Sequence, residues 1–295
     1  IYFMIVVSLN NSKEVAKKVA KNVGQKYAEV EVNSFPDAEL HMKYKCEVRG
    51  KKVVIVESMQ PNPTKALLDS IFAANTAKDL GARKVILVSP YLAYMRQDKR
   101  FNDGEAVNAK IMAKLVNENF DKILTIDPHL HRIEKMRDVF SISAKNLTAN
   151  WKIAEFIGKK FKNPVIIGPD WESYQWAEAI AKKDNLECTV LEKTRHSYRT
   201  VDVEMINKVE LKEREVVIVD DIISTGNTMI KACKSARKLG AEKVYAIGVH
   251  GLFVSKAEDK MKKCFDGIYT CNTIINASSK IDVSEIISEE LKKEL

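Results

Sequence analysis

The sequence contains one segment twice, with the same internal spacing, and this repeat restricts the possible folds more than any other feature. Residues 53–56 read V-V-I-V, and G-A-R-K-V follows at residues 81–85 after a helical stretch. Residues 216–219 read V-V-I-V again, and G-A-E-K-V follows at residues 240–244. Short β-branched runs of this kind are typical of parallel strands that are buried on both faces. The repeat therefore predicts two copies of a strand–helix–strand unit and, with them, a duplicated domain.

Strand and helix patterns also alternate along the rest of the chain, and 295 residues are enough for two domains that each bury a core. We predict an α/β protein with two duplicated domains, each a mainly parallel sheet flanked by helices. The predicted domains are residues 1–146 and 147–295. In such sheets ligands bind beyond the carboxyl ends of the strands, so the segments that follow strands are the candidate sites.

The net charge of the chain restricts the kinds of molecule that it is expected to bind. The net charge of +8 suits either nucleic acid or anionic small molecules. The lysines are spread along predicted helices, as in residues 13–26, and are neither concentrated in a tail nor interleaved with aromatic residues. This distribution favours small anionic ligands and argues against nucleic acid as a partner.

The cysteines and the lengths of the apolar stretches indicate the cellular compartment in which the protein works. Five cysteines are scattered along the chain without a C-x-x-C motif, which predicts reduced thiols, no disulfide framework and no zinc site. No apolar stretch reaches the roughly 18 residues that a transmembrane helix needs, and no signal peptide precedes the first predicted strand. We therefore expect a cytoplasmic protein without a membrane partner.

The second copy of the repeat carries the strongest candidate site. Its strand is predicted to stop at Asp220 and Asp221, and a turn of small residues leads from there into a helix. This turn comprises Ser224, Thr225, Gly226, Asn227 and Thr228. Backbone N–H groups at such a helix start bind phosphate, and two carboxylates beside them can accept hydrogen bonds from a sugar diol. The alternative, a plain acidic helix cap, requires neither the acidic pair nor this turn. The first copy has Glu57-Ser58 instead, so we predict a phosphorylated-sugar site in the second copy alone.

Two further candidate segments follow predicted strands in the first half. The first suits a polyphosphate and an adenine edge, with a solvated loop as the alternative. Its candidate residues are Arg96, Gln97, Asp98 and Lys99. The second is D-P-H-L-H at residues 127–131, where a strand-end aspartate and His129 suit a hydrated Mg²⁺. Two histidines without a third ligand make zinc the weaker assignment, and a capped strand end is the other alternative.

The second half has two candidate segments besides the sugar-phosphate motif. Residues 168–173 place Asp170 between a strand and a helix, where it suits a phosphate–metal loop or, alternatively, a plain turn. Residues 193–199 are polar and cationic without apolar periodicity, which predicts a mobile surface loop. In such a loop Lys193 and Arg195 are candidates for closing over a phosphate during transfer, with a solvated charge run as the alternative.

Taken in this order, the motifs resemble those of the ribose-phosphate pyrophosphokinases, also called phosphoribosyl pyrophosphate synthetases, over essentially the whole chain. The D-D-x-x-S-T-G-x-T pattern at residues 220–228 alone would indicate only the wider phosphoribosyltransferase fold. The other matching motifs are F-P-D-A-E at residues 35–39, R-Q-D-K at 96–99, D-P-H at 127–129, P-D at 169–170 and K-x-R at 193–195. The resemblance implies two phosphoribosyltransferase-like domains, in agreement with the repeat.

The resemblance also implies a reaction. This family transfers the β,γ-diphosphoryl group of ATP to the anomeric hydroxyl of ribose 5-phosphate and releases AMP. By resemblance, Asp220 and Asp221 take the ribose hydroxyls, and residues 224–228 hold the 5-phosphate. His129 and Asp170 would contact Mg²⁺, although Mn²⁺ remains open as an alternative at oxygen-rich sites.

The remaining roles follow from the same resemblance. Residues 96–99 would belong to the ATP site. Asp37 and Glu39 would reach the adenine of a neighbouring subunit, which implies a homo-oligomer with a shared ATP site. Lys193 and Arg195 would be the catalytic cations.

The sequence departs from the family pattern at three places. Ala38 stands at the usual Gly of F-P-D-G-E, and Asn227 stands at the second Gly of S-T-G-G-T, where Asn tolerates a left-handed backbone. Residues 169–173 read P-D-W-E-S where many relatives have P-D-x-G-G. These changes bear on the nucleotide donor and on regulation more than on the core reaction.

Two other functions are compatible with parts of the pattern. A phosphoribosyltransferase would share the sugar site but has no need of R-Q-D-K, F-P-D-A-E or a duplicated domain. A non-catalytic regulatory paralogue should lose the catalytic cations or the acidic pair, and the sequence retains all of them.

Overall fold

The computed structural model describes residues 3–130, 135–195, 201–205 and 209–295, with the backbone alone for residues 192–195 and 201–205. The chain forms two compact units. The first comprises Ile1–Thr148, Thr273–Ile275 and Val283–Leu295, and the second comprises Ala149–Asn272 and Asn276–Asp282. Each unit contains one seven-stranded sheet.

Strands and helices alternate in the first unit. Its strands are β1 (Met4–Ser8), β2 (Lys26–Ser34), β3 (Leu40–Tyr44), β4 (Lys52–Val56), β5 (Lys84–Ser89), β6 (Lys122–Ile126) and β7 (Ser143–Leu147). Its helices are α1 (Lys13–Val23), α2 (Pro63–Asp79), α3 (Asn108–Asn119) and α8 (Ser284–Lys292). The apolar residues of α1 recur every three or four positions, so one face of the helix is buried and the lysines face solvent.

The second unit has the same alternation. Its strands are β8 (Val165–Gly168), β9 (Cys188–Arg195), β10 (Val201–Met205), β11 (Glu215–Ile223), β12 (Lys243–Gly251), β13 (Gly267–Cys271) and β14 (Ser279–Ile281). Its helices are α4 (Asn150–Lys160), α5 (Trp171–Lys183), α6 (Asn227–Lys238) and α7 (Ala257–Met261). The core between β8, β11 and α6 consists of Val, Ile, Ala and Met side chains with Cys233.

The two sheets have the same strand order. The first is β3-β2-β1-β4-β5-β6-β7 and the second is β10-β9-β8-β11-β12-β13-β14. In each sheet the first two strands of this order are antiparallel, and the other described pairings are parallel. The repeated V-V-I-V segments lie in β4 and β11, the fourth strands of their units, and Gly81 and Gly240 both have positive φ, at 87° and 90°. The predicted fold class and the duplication are confirmed.

Two predicted boundaries in the second unit are wrong. Strand β11 does not stop at Asp220 and Asp221 but continues to Ile223, because β12 runs beside it and pairs Ile223 with Gly251. Lys193 and Arg195 do not belong to a loop, since both lie in β9 and their backbones pair with β10. An antiparallel hairpin is held by backbone hydrogen bonds, so it can form without the apolar alternation on which the prediction relied. The rest of the predicted loop, residues 196–199, lies outside the described residues.

The last helix departs from the predicted domain division. The predicted second domain includes all of residues 147–295, whereas α8 belongs to the first unit and packs on α1. In the second unit α4 packs on α5, the helix that corresponds to α1. Helix α8 therefore completes the first unit in the way that α4 completes the second.

A buried ion-pair cluster joins α8 to the first sheet. The Lys122 ammonium lies 3.1 Å from Glu290 Oε1 and 3.0 Å from Glu294 Oε1, and Lys84 Nζ lies 2.8 Å from Glu294 Oε2. The Lys122 residue is only 5 % exposed. Two carboxylates in this environment depend on the lysines for compensation of their charge.

We predict that Lys122→Met lowers the free energy of unfolding by about 3 kcal/mol, because it leaves two largely buried carboxylates without their shared cation. Urea unfolding followed by circular dichroism measures this loss. Lys159→Met is the matched control, since Lys159 pairs with Glu155 on an exposed helix surface, where a pair contributes about 0.5 kcal/mol. Equal losses in the two variants would contradict the structural role of the cluster.

Candidate functional site

The site is built where two neighbouring parallel strands end. Strands β8 and β11 pair in parallel, so their carboxyl ends lie at the same edge of the second sheet. Asp170 follows β8 as the N-cap of α5, and Asp220 lies near the end of β11. The hydroxyl of Ser173 connects them, with Oγ 2.6 Å from Asp170 Oδ1 and 3.1 Å from Asp220 Oδ1. Two residues that the sequence predicts separately thus belong to one cluster.

The acidic pair on β11 adds to the negative charge of this cluster. Asp221 is buried and Asp220 is half-buried, and the Asp221 backbone N–H donates to Asp220 Oδ1 at 3.0 Å. Burial raises the pKa of Asp220 well above its ordinary value, and the charges of Asp221 and Asp170 raise it further. An acidic cluster of this kind favours ligands that donate hydrogen bonds or carry positive charge, such as a sugar diol and a cation.

The phosphate-type turn follows directly. Residues 224–226 connect β11 to α6, and Gly226 caps the helix with φ of 73°. A Cβ at this glycine would lie 2.8 Å from Sδ of the fully buried Met261. The turn is also tied to the segment after β12, because the Val254 N–H donates to the Ser224 carbonyl at 3.1 Å. The start of α6 is therefore a fixed set of N–H donors with the positive end of a helix dipole.

The substitution at Asn227 has a different explanation from the predicted one. The sequence pattern predicts a left-handed backbone at Asn227, which this residue type tolerates. In the structure Asn227 is the first residue of α6, and the left-handed residue is Gly226. A helical position does not require glycine, so the turn keeps its shape with Asn at this position.

A cavity of about 430 Å³ adjoins the start of α5 and the start of α6. Its lining includes Asp170 and Trp171 from the start of α5 and Thr228 and Lys231 from the first turns of α6. This volume lies within the range of small-molecule sites. The cavity therefore places Asp170 and the end of the S-T-G-N-T turn around one space.

The corresponding edge of the first sheet is filled by the protein itself. Glu57 follows β4 at the position that Asp220 has in β11, and it is 1 % exposed. Its two carboxylate oxygens accept from the backbone N–H of Asn11, at 3.2 and 3.1 Å, in the loop between β1 and α1. Burial raises the pKa of Glu57 to about 8, although these backbone hydrogen bonds lower it. A side chain of the protein thus accepts from backbone N–H donors at this edge, where the second copy of the repeat has its acidic pair and turn.

The predicted nucleotide residues lie in the first unit. Arg96 and Lys99 are exposed after β5, whereas Gln97 and Asp98 are half-buried, and Gln97 Oε1 accepts from Asn108 Nδ2 at 2.6 Å. Their assignment to ATP remains a prediction.

Asp37 and Glu39 are exposed in the turn between β2 and β3. The backbone N–H of Glu39 donates to Asp37 Oδ1 at 3.2 Å, and Ala38 has φ of 72°. The residue that replaces the family glycine is therefore in the left-handed region. An exposed hairpin tip is accessible to another molecule.

The predicted metal residues lie in different units. His129 is half-buried after β6 in the first unit, and its neighbour His131 is outside the described residues. Within the described ranges no three His, Cys, Asp or Glu residues cluster as metal ligands. Mg²⁺ takes few protein ligands and keeps several waters or phosphate oxygens. Asp170 suits such a cation, because the described hydrogen bonds of its carboxylate all end on Oδ1.

Sequence reasoning missed Ser173 and Glu57 as parts of this arrangement. Ser173 looks like an ordinary residue of a first helical turn, and its contact with Asp220 spans 47 positions of sequence. A signal for Glu57 was available, since it occupies the position of Asp220 in the other copy of the repeat. The predicted roles of Lys193 and Arg195 depend on their side chains, which lie outside the described part of the structure.

Comparison with known proteins identifies the class of each domain and then the family. Residues 4–119 match the N-terminal domain of ribose phosphate pyrophosphokinase, and residues 143–284 match the phosphoribosyl transferase domain. The ribose-phosphate pyrophosphokinase of Methanopyrus kandleri is 32 % identical, covering 98 % of this chain and 99 % of the relative. The ribose-phosphate pyrophosphokinase of Methanobrevibacter smithii is 33 % identical, covering 98 % of this chain and 100 % of the relative.

One solved structure matches over nearly the whole length. Phosphoribosylpyrophosphate synthetase from Mycobacterium smegmatis has a TM-score of 0.85 at 20 % identity, covering 99 % of this chain and 98 % of that one. This match supports the two-domain fold. The domains are of the phosphoribosyltransferase type. The chain belongs to the ribose-phosphate pyrophosphokinase family.

We predict that Gly226→Ala weakens ribose 5-phosphate binding at least roughly tenfold, because the added methyl group displaces the turn against Met261. Isothermal titration calorimetry measures the affinity. Gly50→Ala is the control, since Gly50 has φ of 71° but nothing within 4 Å of the added Cβ. Both variants should lose about 1–2 kcal/mol of stability from backbone strain. Unchanged affinity in Gly226→Ala would remove the turn from the binding site.

The buried Glu57 gives a prediction about pH. Its pKa is raised from 4.5 to about 8, so folding takes up a proton between these values. The stabilisation is complete below pH 4.5 and is lost as the pH rises towards about 8. We predict that the unfolding temperature of the wild type, minus that of Glu57→Gln, falls steadily over this interval in calorimetric scans. Glu118→Gln, which removes one carboxylate from an exposed helix position, is the matched control in the same scans. A constant difference for Glu57→Gln would contradict the assignment.

Proposed function

We propose that this protein transfers the β,γ-diphosphoryl group of ATP to the anomeric hydroxyl of ribose 5-phosphate, giving 5-phosphoribosyl 1-diphosphate and AMP. The observation that carries the proposal is the acidic cluster of Asp170, Asp220 and Asp221 beside the phosphate-type turn. A sugar phosphate presents hydroxyl donors and a phosphate group, so it matches both halves of this site. Membership of the family supplies the second substrate, ATP.

The sugar site lies in the second unit. Asp220 and Asp221 accept hydrogen bonds from the ribose hydroxyls, and residues 224–228 hold the 5-phosphate with backbone N–H groups and hydroxyls. Asp170 and His129 are the proposed contacts for Mg²⁺. When bound, this ion neutralises charge on the phosphate oxygens of ATP.

The chemistry requires a charged transition state to be stabilised. The anomeric hydroxyl oxygen attacks the β-phosphorus and its proton is released to water. The bond from that phosphorus to the α-phosphate oxygen breaks, and AMP leaves. We assign Lys193 and Arg195, on β9, to stabilising the negative charge that develops on the transferred group. A well-placed cation in such a transition state is worth on the order of 3 kcal/mol.

The nucleotide site is proposed to be shared between copies of the chain. Residues 96–99 bind ATP, while Asp37 and Glu39 reach the adenine bound to a neighbouring copy in a homo-oligomer. Two observations support this arrangement. The hairpin tip with Asp37 and Glu39 is exposed. Helices α2 and α3 also expose apolar side chains at one-turn spacing, namely Leu68, Phe72, Ile111 and Leu115.

We further propose that the protein works in the cytoplasm and acts on these small molecules without nucleic acid or membrane partners. No disulfide joins the five cysteines, all of which lie in the described ranges. None of the helices in the described part of the chain has the length and apolar character of a membrane span.

The test is AMP formation from ATP and Mg²⁺ with and without ribose 5-phosphate. AMP should appear only with the sugar phosphate, and Lys193→Ala and Arg195→Ala should lower kcat at least roughly 100-fold while changing substrate affinity much less. Lys159→Ala, on the exposed surface of α4, is the matched control for loss of one positive charge.

Three other experimental outcomes would contradict the proposal or one of its parts. ADP instead of AMP would indicate transfer of a single phosphoryl group. Tight ribose 5-phosphate binding without any turnover would indicate a regulatory paralogue. Normal turnover in both cation variants would remove β9 from the mechanism.

A further inference from the structure

The hydroxyl of Ser173 lies between two carboxylates to which the proposed function gives different ligands. Asp170 is assigned to the cation and Asp220 to the sugar, and Ser173 Oγ is 2.6 and 3.1 Å from their respective Oδ1 atoms. Ser173 is 2 % exposed, so solvent has little access to this hydroxyl. A single side chain therefore contacts both parts of the site.

On each acid the described hydrogen bonds end on one oxygen. Asp170 Oδ1 accepts from the Ser173 backbone N–H at 3.0 Å as well as from the hydroxyl. Asp220 Oδ1 accepts from the Asp221 backbone N–H at 3.0 Å and lies next to the same hydroxyl. Among the described residues, no hydrogen bond ends on Oδ2 of either acid. One oxygen of each carboxylate is thus anchored and the other is available.

Helix capping explains only part of this geometry. Asp170 is the N-cap of α5, and its bond to the Ser173 backbone N–H is an ordinary capping interaction. The contact of the hydroxyl with Asp220 has no role in capping, because Asp220 lies on the neighbouring strand β11. It connects the turn after β8 to β11, and it fixes the rotation of the Asp220 carboxylate.

We propose that Ser173 is a positioning residue that anchors Oδ1 of Asp170 and Asp220 and leaves each Oδ2 directed to ligand. Asp220 Oδ2 then accepts from a ribose hydroxyl, and Asp170 Oδ2 faces the cation. This inference rests on the proposed function and deepens it, because it links the sugar site and the cation site through one hydroxyl.

Calorimetric titration of ribose 5-phosphate in metal-free buffer tests this role. Ser173→Ala should weaken binding roughly tenfold, because Asp220 loses the contact that orients its carboxylate towards the sugar. Ser173→Thr keeps the hydroxyl and should keep most of the affinity. Ser288→Ala is the control, since it removes a buried serine hydroxyl that bonds within helix α8 of the first unit. In steady-state assays, Ser173→Ala should raise KM for ribose 5-phosphate by the same factor and change kcat much less.

Three results would overturn the inference. One is wild-type affinity in Ser173→Ala, and another is an equal loss in Ser288→Ala. The third is the same weakening in Ser173→Thr at an unchanged unfolding temperature, which would show that the hydroxyl is not responsible. Wild-type protein that binds ribose 5-phosphate but forms no AMP would overturn the proposed reaction and leave the role of Ser173 intact.

Discussion

The parallel pairing of β8 with β11 is the constraint on which the chemistry of this protein depends. It brings the ends of two strands to one edge, so carboxylates that are far apart in sequence become neighbours. The neighbouring carboxylates of Asp170 and Asp220 repel each other when both are charged. The Ser173 hydroxyl and backbone N–H groups offset this repulsion. A bound cation and sugar hydroxyls would complete that compensation. The acidic cluster is thus electrostatically suited to ligands that donate hydrogen bonds or carry positive charge.

The two copies of the fold use the same edge of the sheet differently. The second copy has the candidate binding site there, and in the first copy a buried side chain occupies the edge. Both sheets have the same order, and both have an acidic residue directly after the repeated V-V-I-V segment. In the first unit this acid is Glu57, which is buried at the edge of its sheet and accepts hydrogen bonds from the loop after β1. In the second unit Asp220 bonds to Ser173 and keeps one oxygen available. The difference between a binding site and a structural contact therefore lies in a few side chains on a common backbone.

Local signals made much of this arrangement predictable. β-branched runs marked the central strands, and carboxylates with small residues after them marked the sugar-phosphate motif. The edge strands β3, β10 and β14 were not predicted, because they form by pairing with a neighbour and carry no such runs. The continuation of β11 past Asp220 depends on β12 beside it. Contacts such as Ser173 with Asp220, or Glu57 with Asn11, join residues 47 and 46 positions apart, and no local pattern reports them.

The placement of α8 has a consequence for how the protein is made. The first unit needs residues 283–295 to cover α1 and to bring Glu290 and Glu294 to Lys122. A ribosome delivers these residues only after the whole second unit has been synthesised. Until then the first unit has one helix face uncovered and one buried lysine uncompensated. The chain order thus delays completion of the first unit until the second unit already exists.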